Sequence, residues 1–410
     1  MSDSMNSDPA AGDQKRWVRA PLSRFLALSV RTVAVDPGQD YATVGVLNKG
    51  RGLLYREPIS GRSTSYKNLN RIGPGLLIYS RLKAFEGAIA VTPNDLPESF
   101  ASQEFPTFAF TPEADPDFFR ILITTSEMWS ALQSMSKGMG GRRERVKASD
   151  FLSIVMNIPP ISLQKRIVGV IGAVDDHIAA LDREETAADS AASAMAESML
   201  ASSTFVPLKG RICRIEGGRS PQAVDRIPAE HEPGVLKVSA VKPFQFSADE
   251  SKTLAPGTEM PNAAEVRAGD VLVTRASGTI HRVGAACRVP SDVRSGLYLS
   301  DKTLRIVPDD GLDPNFLVVA MALSRVRSQI AIAASGSASM KNISQSKIVN
   351  LEIPMPDLAE QRKVAKTILS MRSVGRACRA ESHRIRQFRA ALLSGLLDRT
   401  IDIESAGLGV

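Results

Sequence analysis

Cysteine is scarce and scattered. Three residues, Cys213, Cys287 and Cys378, occur in 410, an odd, widely spaced set that fits neither a disulfide framework nor a zinc knuckle. No His-Glu-x-x-His or cysteine–histidine spacing marks a metal site. A Walker-type phosphate loop is missing, which argues against ATP-driven translocation by this chain. So are the glycine-rich cofactor loop and the aromatic-ended Asn-Pro-Pro motif that a methyltransferase needs. The nearest approach, Asn157-Ile158-Pro159-Pro160, has an intervening isoleucine and no aromatic. No apolar run approaches the roughly 20 residues of a membrane span. The polar opening, residues 1–16, has no apolar core and reads as a disordered lead-in. Together these features point to a cytoplasmic, non-catalytic chain with no metal or cofactor of its own.

What is present is a repeat. Shifted by 197 residues, Pro159 meets Pro356, Gln164 meets Gln361, Ile167 meets Val364 and Ile171 meets Ile368. Gly87-Ala88 meets Gly284-Ala285 at the same shift, and small changes of offset align Asp115-Pro116-Asp117-Phe118 with Asp313-Pro314-Asn315-Phe316. They also align "GLLIYSR" with "GDVLVTR", and Gly138 with Gly336. Ordered matches at nearly one offset indicate an internal duplication. The reading is α+β. Two mixed α/β units, 17–160 and 205–356, alternate with long helices, 161–204 and 357–402, before a tail at 403–410. Asp115 and Asp313, each followed by proline, should open one helix per unit.

Both long helices carry an apolar seam at alternating steps of three and four. In the first it runs through Ile167, Ile171, Val174, Ile178, Leu181, Ala188, Ala192, Met195 and Met199, with Glu185 as the one break. In the second it runs through Val364, Ile368, Met371, Cys378, Ile385, Leu392 and Leu396, with Gly375, Ser382 and Arg389 as weaker points. Asp357 is placed to cap the second helix, with Glu360 completing a capping box. From Ser162 to Ser203 there are three basic and seven acidic residues, and from Gln361 to Arg399 ten basic and two acidic. Opposite charge and matching seams predict that the two helices pair, and a local two-fold relating the two copies makes the coiled coil antiparallel. Such a rod is ~60 Å long at 1.5 Å per residue, with a head at each end, a geometry suited to paired half-sites on DNA.

The motifs "IPMPDLAEQRKV", "RAGDVLVTRASG" and "RIEGGRSP" resemble those of the DNA-specificity subunit of type I restriction-modification systems. The likeness runs from Pro21 to Asp402. It implies two target-recognition domains reading a split site in double-stranded DNA, and helices that dock two adenine methyltransferase subunits and, in some systems, restriction subunits. S-adenosylmethionine then belongs to the methyltransferase, and ATP and magnesium to the restriction subunit. The first copy departs from the pattern: Leu163 replaces the capping-box glutamate, and "EPISGRSTSYKN" stands in for the "GGRSP" loop.

A basic balance (formal charge +7) permits a polyanionic partner. DNA contacts need Arg, Lys, Ser, Thr, Asn, Gln or backbone N–H groups on approachable loops. Candidates in the first unit are Arg62, Ser63, Tyr66, Lys67, Arg81, Lys83, Arg142, Arg143, Arg145 and Lys147. In the second they are Arg219, Ser220, Arg275, Ser277, Thr279, His281, Arg282, Ser339, Lys341 and Asn342. Arg81 and Arg275 share one repeat position. The plainer alternatives are solvated basic loops and structural arginines. At the level of the whole chain, they are a modification-only or other defence complex, or a coiled-coil scaffold that never touches DNA.

Overall fold

The computed structural model describes residues 17–135, 145–337 and 339–403. The chain forms two compact units, Met1–His177 with Arg386–Val410, and Ile178–Ile385. Each unit therefore combines a globular part with stretches of both long helices.

In the first unit, strands Ile89–Val91, Leu77–Tyr79, Thr107–Phe110 and Leu26–Leu28 form an antiparallel sheet in that order. A second sheet runs Ser99–Ala101, Asn68–Ile72, Arg31–Ala34. Val18–Pro21 pairs with Val155–Ile158, so the Asn-Ile-Pro-Pro stretch is a strand edge leading into the helix. The core gathers Tyr79, Phe108, Phe118, Phe119 and Phe151 with Ile167 and Ile171 from the first long helix and Leu393 and Leu396 from the second.

The second unit repeats these parts. Ile212–Gly217, Thr303–Pro308, Val271–Thr274 and Ala286–Arg288 form the equivalent sheet, and Phe205–Pro207 pairs with Glu352–Pro354. A further mixed sheet carries Gly234–Leu236 antiparallel to Ser251–Leu254 and parallel to Leu297–Tyr298. Gly87 and Gly284, matched in the repeat, both turn at left-handed φ, 70° and 72°, a conformation that costs glycine least.

The fold class is α+β, as expected. Asp115 caps Pro116–Leu122, and Asp313 caps Pro314–Ala320, each with proline in the first turn. The single helix expected after each cap is instead two. Ser126–Met135 follows the first and Ser324–Ala333 the second, bent from its predecessor by 72°. In the first unit the Thr124 and Thr125 hydroxyls take the carbonyls of Ile121 and Leu122, each at 2.7 Å, acceptors that a continuing helix would use. In the second, Leu323 is extended (ψ 142°), and Glu197 of the long helix accepts the Ser324 N–H at 2.6 Å.

The long helices are Ile161–Met199 and Leu358–Leu397, shorter at their C-terminal ends than read from the sequence. They pair antiparallel. Within the second unit Asp182 accepts from Ser382 Oγ at 2.7 Å, Glu185 from Arg379 Nε at 2.7 Å and Asp189 from Arg372 Nη1 at 3.1 Å. Within the first, Asp175 accepts from Arg389 Nη2 at 2.8 Å. Ile167, Ile171, Ile178, Val364, Ile368 and Cys378 of the expected seam are buried. Met195 is not: it is 42% exposed, and Ala196 is buried in its place. From Ala192 the buried positions step by four, through Ala196 to Leu200, because this last part of the helix packs on the head domain and follows the 3.6-residue period. Asp357 accepts the Glu360 N–H at 2.8 Å. The Glu360 carboxylate turns to Lys363 Nζ at 3.2 Å rather than completing the box. No single helix among the described residues is long and apolar enough to cross a membrane.

Candidate nucleic-acid interface

In the second unit the candidates converge. Val271–Thr274 delivers Arg275, whose N–H donates to Lys302 O and whose carbonyl accepts from Ile343 N. The next residues form a three-stranded ladder, Ala276–Ser277 beside Lys341–Asn342 beside Ser335–Gly336. Ser277 thus lies opposite Lys341. Thr279, His281 and Arg282 follow in an exposed 3₁₀ turn, Ile280–Arg282. Lys341 Nζ donates to Gly336 O at 3.2 Å, which orients the ammonium across the loop. Ser339 is exposed, Asn342 half-buried, and Ser277 buried at 7%. The His281 carbonyl accepts from Arg327 Nη2 at 2.9 Å, pinning the turn to the helix Ser324–Ala333.

The "GGRSP" loop reaches the same place. Gly218 lies so near Leu299 that a Cβ would fall 1.8 Å from its carbonyl oxygen, so only glycine fits. Ser220 Oγ donates to Asp301 Oδ1, and Arg275 Nη1 approaches the Asp301 carbonyl at 3.4 Å. Arg219 Nη2 donates to the Glu259 carbonyl, which ties that guanidinium to its own loop. The sequence reading missed Asp301. As an anion it is no phosphate ligand, yet it organises Ser220 and Arg275.

The first unit reproduces the backbone of this arrangement. Arg81 N–H donates to Glu104 O and its carbonyl accepts from Val146 N. Arg145, exposed, pairs with Glu104 at 3.1 Å. Lys147 precedes the short helix Ala148–Leu152, and Lys83 lies exposed just beyond Arg81. Arg81 Nε is buried with no hydrogen-bond partner among the described residues. Below this group, Tyr79 donates to Val146 O at 2.9 Å, and burial pushes its phenol well above the usual tyrosine range. Arg142 and Arg143 lie outside the described residues, as does Gly138. Arg62, Ser63, Tyr66 and Lys67 are all exposed, but they belong to a different edge, the turn after Ile59–Ser60, which pairs with Asp40–Tyr41. Among the described residues, no group of three or more His, Cys, Asp or Glu side chains is placed to hold a metal.

Two α/β units of one design, each ending in a stretch of paired antiparallel helices, define the fold of type I restriction-modification S subunits. A solved structure of such a subunit from M. genitalium matches with TM-score 0.54 at 11% identity, covering 96% of this chain and 98% of that one. A structure described as the basis of complex assembly and conformational transition of the type I R-M system matches with TM-score 0.54 at 18% identity, covering 93% and 97%. In sequence, the type I restriction enzyme EcoEI specificity subunit of Escherichia coli is 32% identical over 196 residues, 47% of this chain. That match spans about a third (32%) of the curated relative's length. No family model matches the chain. The resemblance read from the motifs is borne out: the chain is HsdS-like.

Proposed function

We propose that this chain is the sequence-specific DNA-recognition subunit of a type I restriction-modification complex. It reads a bipartite, asymmetric site with its two units and docks two adenine methyltransferase subunits through its helices. The observation that carries this is the pairing of like scaffold with unlike loops. Arg81 and Arg275 hold one backbone position. The segment bonded to the first through Val146 N carries Arg145 and Lys147, and that bonded to the second through Ile343 N carries Lys341 and Asn342, beside Ser277. A common frame with different tips is what two different half-sites require. The chain supplies register and orientation. Its partners supply chemistry: the methyltransferase, with S-adenosylmethionine, acts on a base taken out of the stack, and a restriction subunit, where present, uses ATP and magnesium.

Methylation mapping in a host carrying this chain and its methyltransferase tests the reading. A split motif with a fixed gap is expected. A continuous motif, or methylation independent of this chain, overturns it. Replacing Arg142 and Arg143 by alanine should relax one half-site only; equal relaxation of both removes the assignment of units to half-sites. A scaffold that never touches DNA predicts binding with neither steep salt dependence nor base preference.

A further inference from the structure

A strained residue marks a second basic feature in the second unit. Val241–Lys242 and Gln245–Phe246 form a hairpin whose two-residue loop is Pro243-Phe244. Phe244 has φ 62°, a left-handed conformation that bulky side chains rarely adopt and that turns normally assign to Gly or Asn. Such strain persists where the surroundings over-determine it. Here the strained turn places the Phe244 ring under the Arg372 guanidinium, 4.0 Å from centroid to Cζ. Arg372 is also held by Asp189 at 3.1 Å.

Beside this stack is an open cleft of about 340 Å³, formed by the hairpin, the His281–Arg282 turn and the second long helix. Five cations line it against one carboxylate, Asp189. Arg372 and Arg379 already serve Asp189 and Glu185. Lys242, Arg282 and Arg376 have no ion-pair partner among the described residues. Arg372 Nε is buried without a hydrogen-bond partner. Burial lowers its pKa, against the opposing pull of Asp189. Three unanswered cations converging on one cleft are the complement of an anion.

The structure assigns a chemistry to that anion: we propose that the cleft seats a backbone phosphate of duplex DNA, next to but outside the base-reading loop. Two features favour phosphate over a base edge or a protein carboxylate. The cleft wall His281–Arg282 directly continues the loop of Ser277 and Thr279, so it extends the candidate DNA surface. Its lining offers charge rather than readout: the Arg372 guanidinium covers a face of Phe244, and Gln245 is the one amide. Contacts of this kind set register and carry no sequence information.

The inference rests on the DNA-recognition reading. Its test is the salt dependence of binding between the full chain and a random-sequence DNA duplex. K242A with R376A should lower the slope of log K against log salt by about one. Random and cognate duplexes should be affected alike, with base preference unchanged. K242R with R376K keeps the charge and should keep the slope. Arg376 is exposed, so the fold should survive, and ethylation interference should lose one protected phosphate. An unchanged slope overturns the proposal. An unchanged slope with weakened methyltransferase binding overturns it in favour of a protein partner. If the wild-type chain binds duplex DNA without salt dependence, the DNA-recognition reading itself fails.

Discussion

Gln164 and Gln361 make the same three hydrogen bonds, each inside its own unit. Gln164 Oε1 accepts the Asp115 N–H at 2.7 Å, and its Nε2 donates to Glu113 O at 2.8 Å and Pro159 O at 2.9 Å. Gln361 Oε1 accepts the Asp313 N–H at 2.9 Å, and its Nε2 donates to Gly311 O and Pro356 O, both at 3.0 Å. Both residues are fully buried. Each amide locks the start of a long helix to the cap of the short helix beside it.

Removing either amide strands one N–H and two carbonyls in the interior. Gln164→Ala and Gln361→Ala should each cost roughly 2–4 kcal/mol. Both tryptophans, Trp17 and Trp129, lie in the first unit. In urea, Gln164→Ala should therefore shift the tryptophan fluorescence transition, while Gln361→Ala should act mainly on far-UV circular dichroism. Equal fluorescence shifts would contradict separate locks.

Charge across the helix pair chooses a partner more than it adds stability. Glu185→Arg, facing Arg379, should lower stability by about 0.5–1 kcal/mol. Adding Arg379→Glu should recover most of that. A double variant no better than the single one, judged by thermal melting, would show that the 2.7 Å contact does not govern pairing.

Thiol reactivity should separate the three cysteines. Cys213 is exposed, whereas Cys287 and Cys378 are buried. Burial pushes the Cys287 thiol up to about 12 and raises Cys378 as well. Because the thiolate is the nucleophile, one fast equivalent should react with a disulfide reagent at pH 8 in the native protein, and three after denaturation. Three fast equivalents without denaturant would refute the burial of Cys287.

Acid should loosen the loop that Glu232 closes. Its carboxyl is held down to about 2, first by the Arg226 hydrogen bond and then by the Ala229 N–H; Arg226 Nη2 lies 2.6 Å away. A carboxylate lowered from 4.5 to about 2 in the folded state binds more protons when unfolded between those values. Its contribution is complete above pH ~4.5 and is lost as pH falls toward ~2. Glu232→Gln should flatten the stability profile in that window, lowering stability above pH ~4.5 and leaving it nearly unchanged near pH ~2. Unaltered acid sensitivity would exclude the ion pair as its source.

The duplication was legible because backbone locks need particular residues: Gln164 and Gln361, Asp115 and Asp313, and the two glycines at left-handed φ recur at nearly one spacing. The loops were legible in composition but not in contact. Ser220 and Arg275 meet through Asp301, and nothing local to "GGRSP" announces a partner 81 residues away. The helix breaks near Thr124 and Leu323 escaped because their apolar pattern continues across the bend, and tertiary bonds decide where a helix stops. Pro243-Phe244 was invisible as a turn, since phenylalanine is the wrong residue for positive φ. Met195 was misplaced because a period of 3.5 and one of 3.6 differ by a whole position only after several turns.

The closing of the first unit by Leu393, Leu396 and Ile403 has a consequence for biosynthesis. While the ribosome is still making the later residues, the earlier unit waits with the core around Ile167 and Ile171 lacking Leu393, Leu396 and Ile403, and the unit encoded afterwards can finish before it. A nascent chain in this interval offers a sticky apolar strip to chaperones and proteases, so any stalling of translation near its last turns leaves a product whose oldest part is the unfinished one.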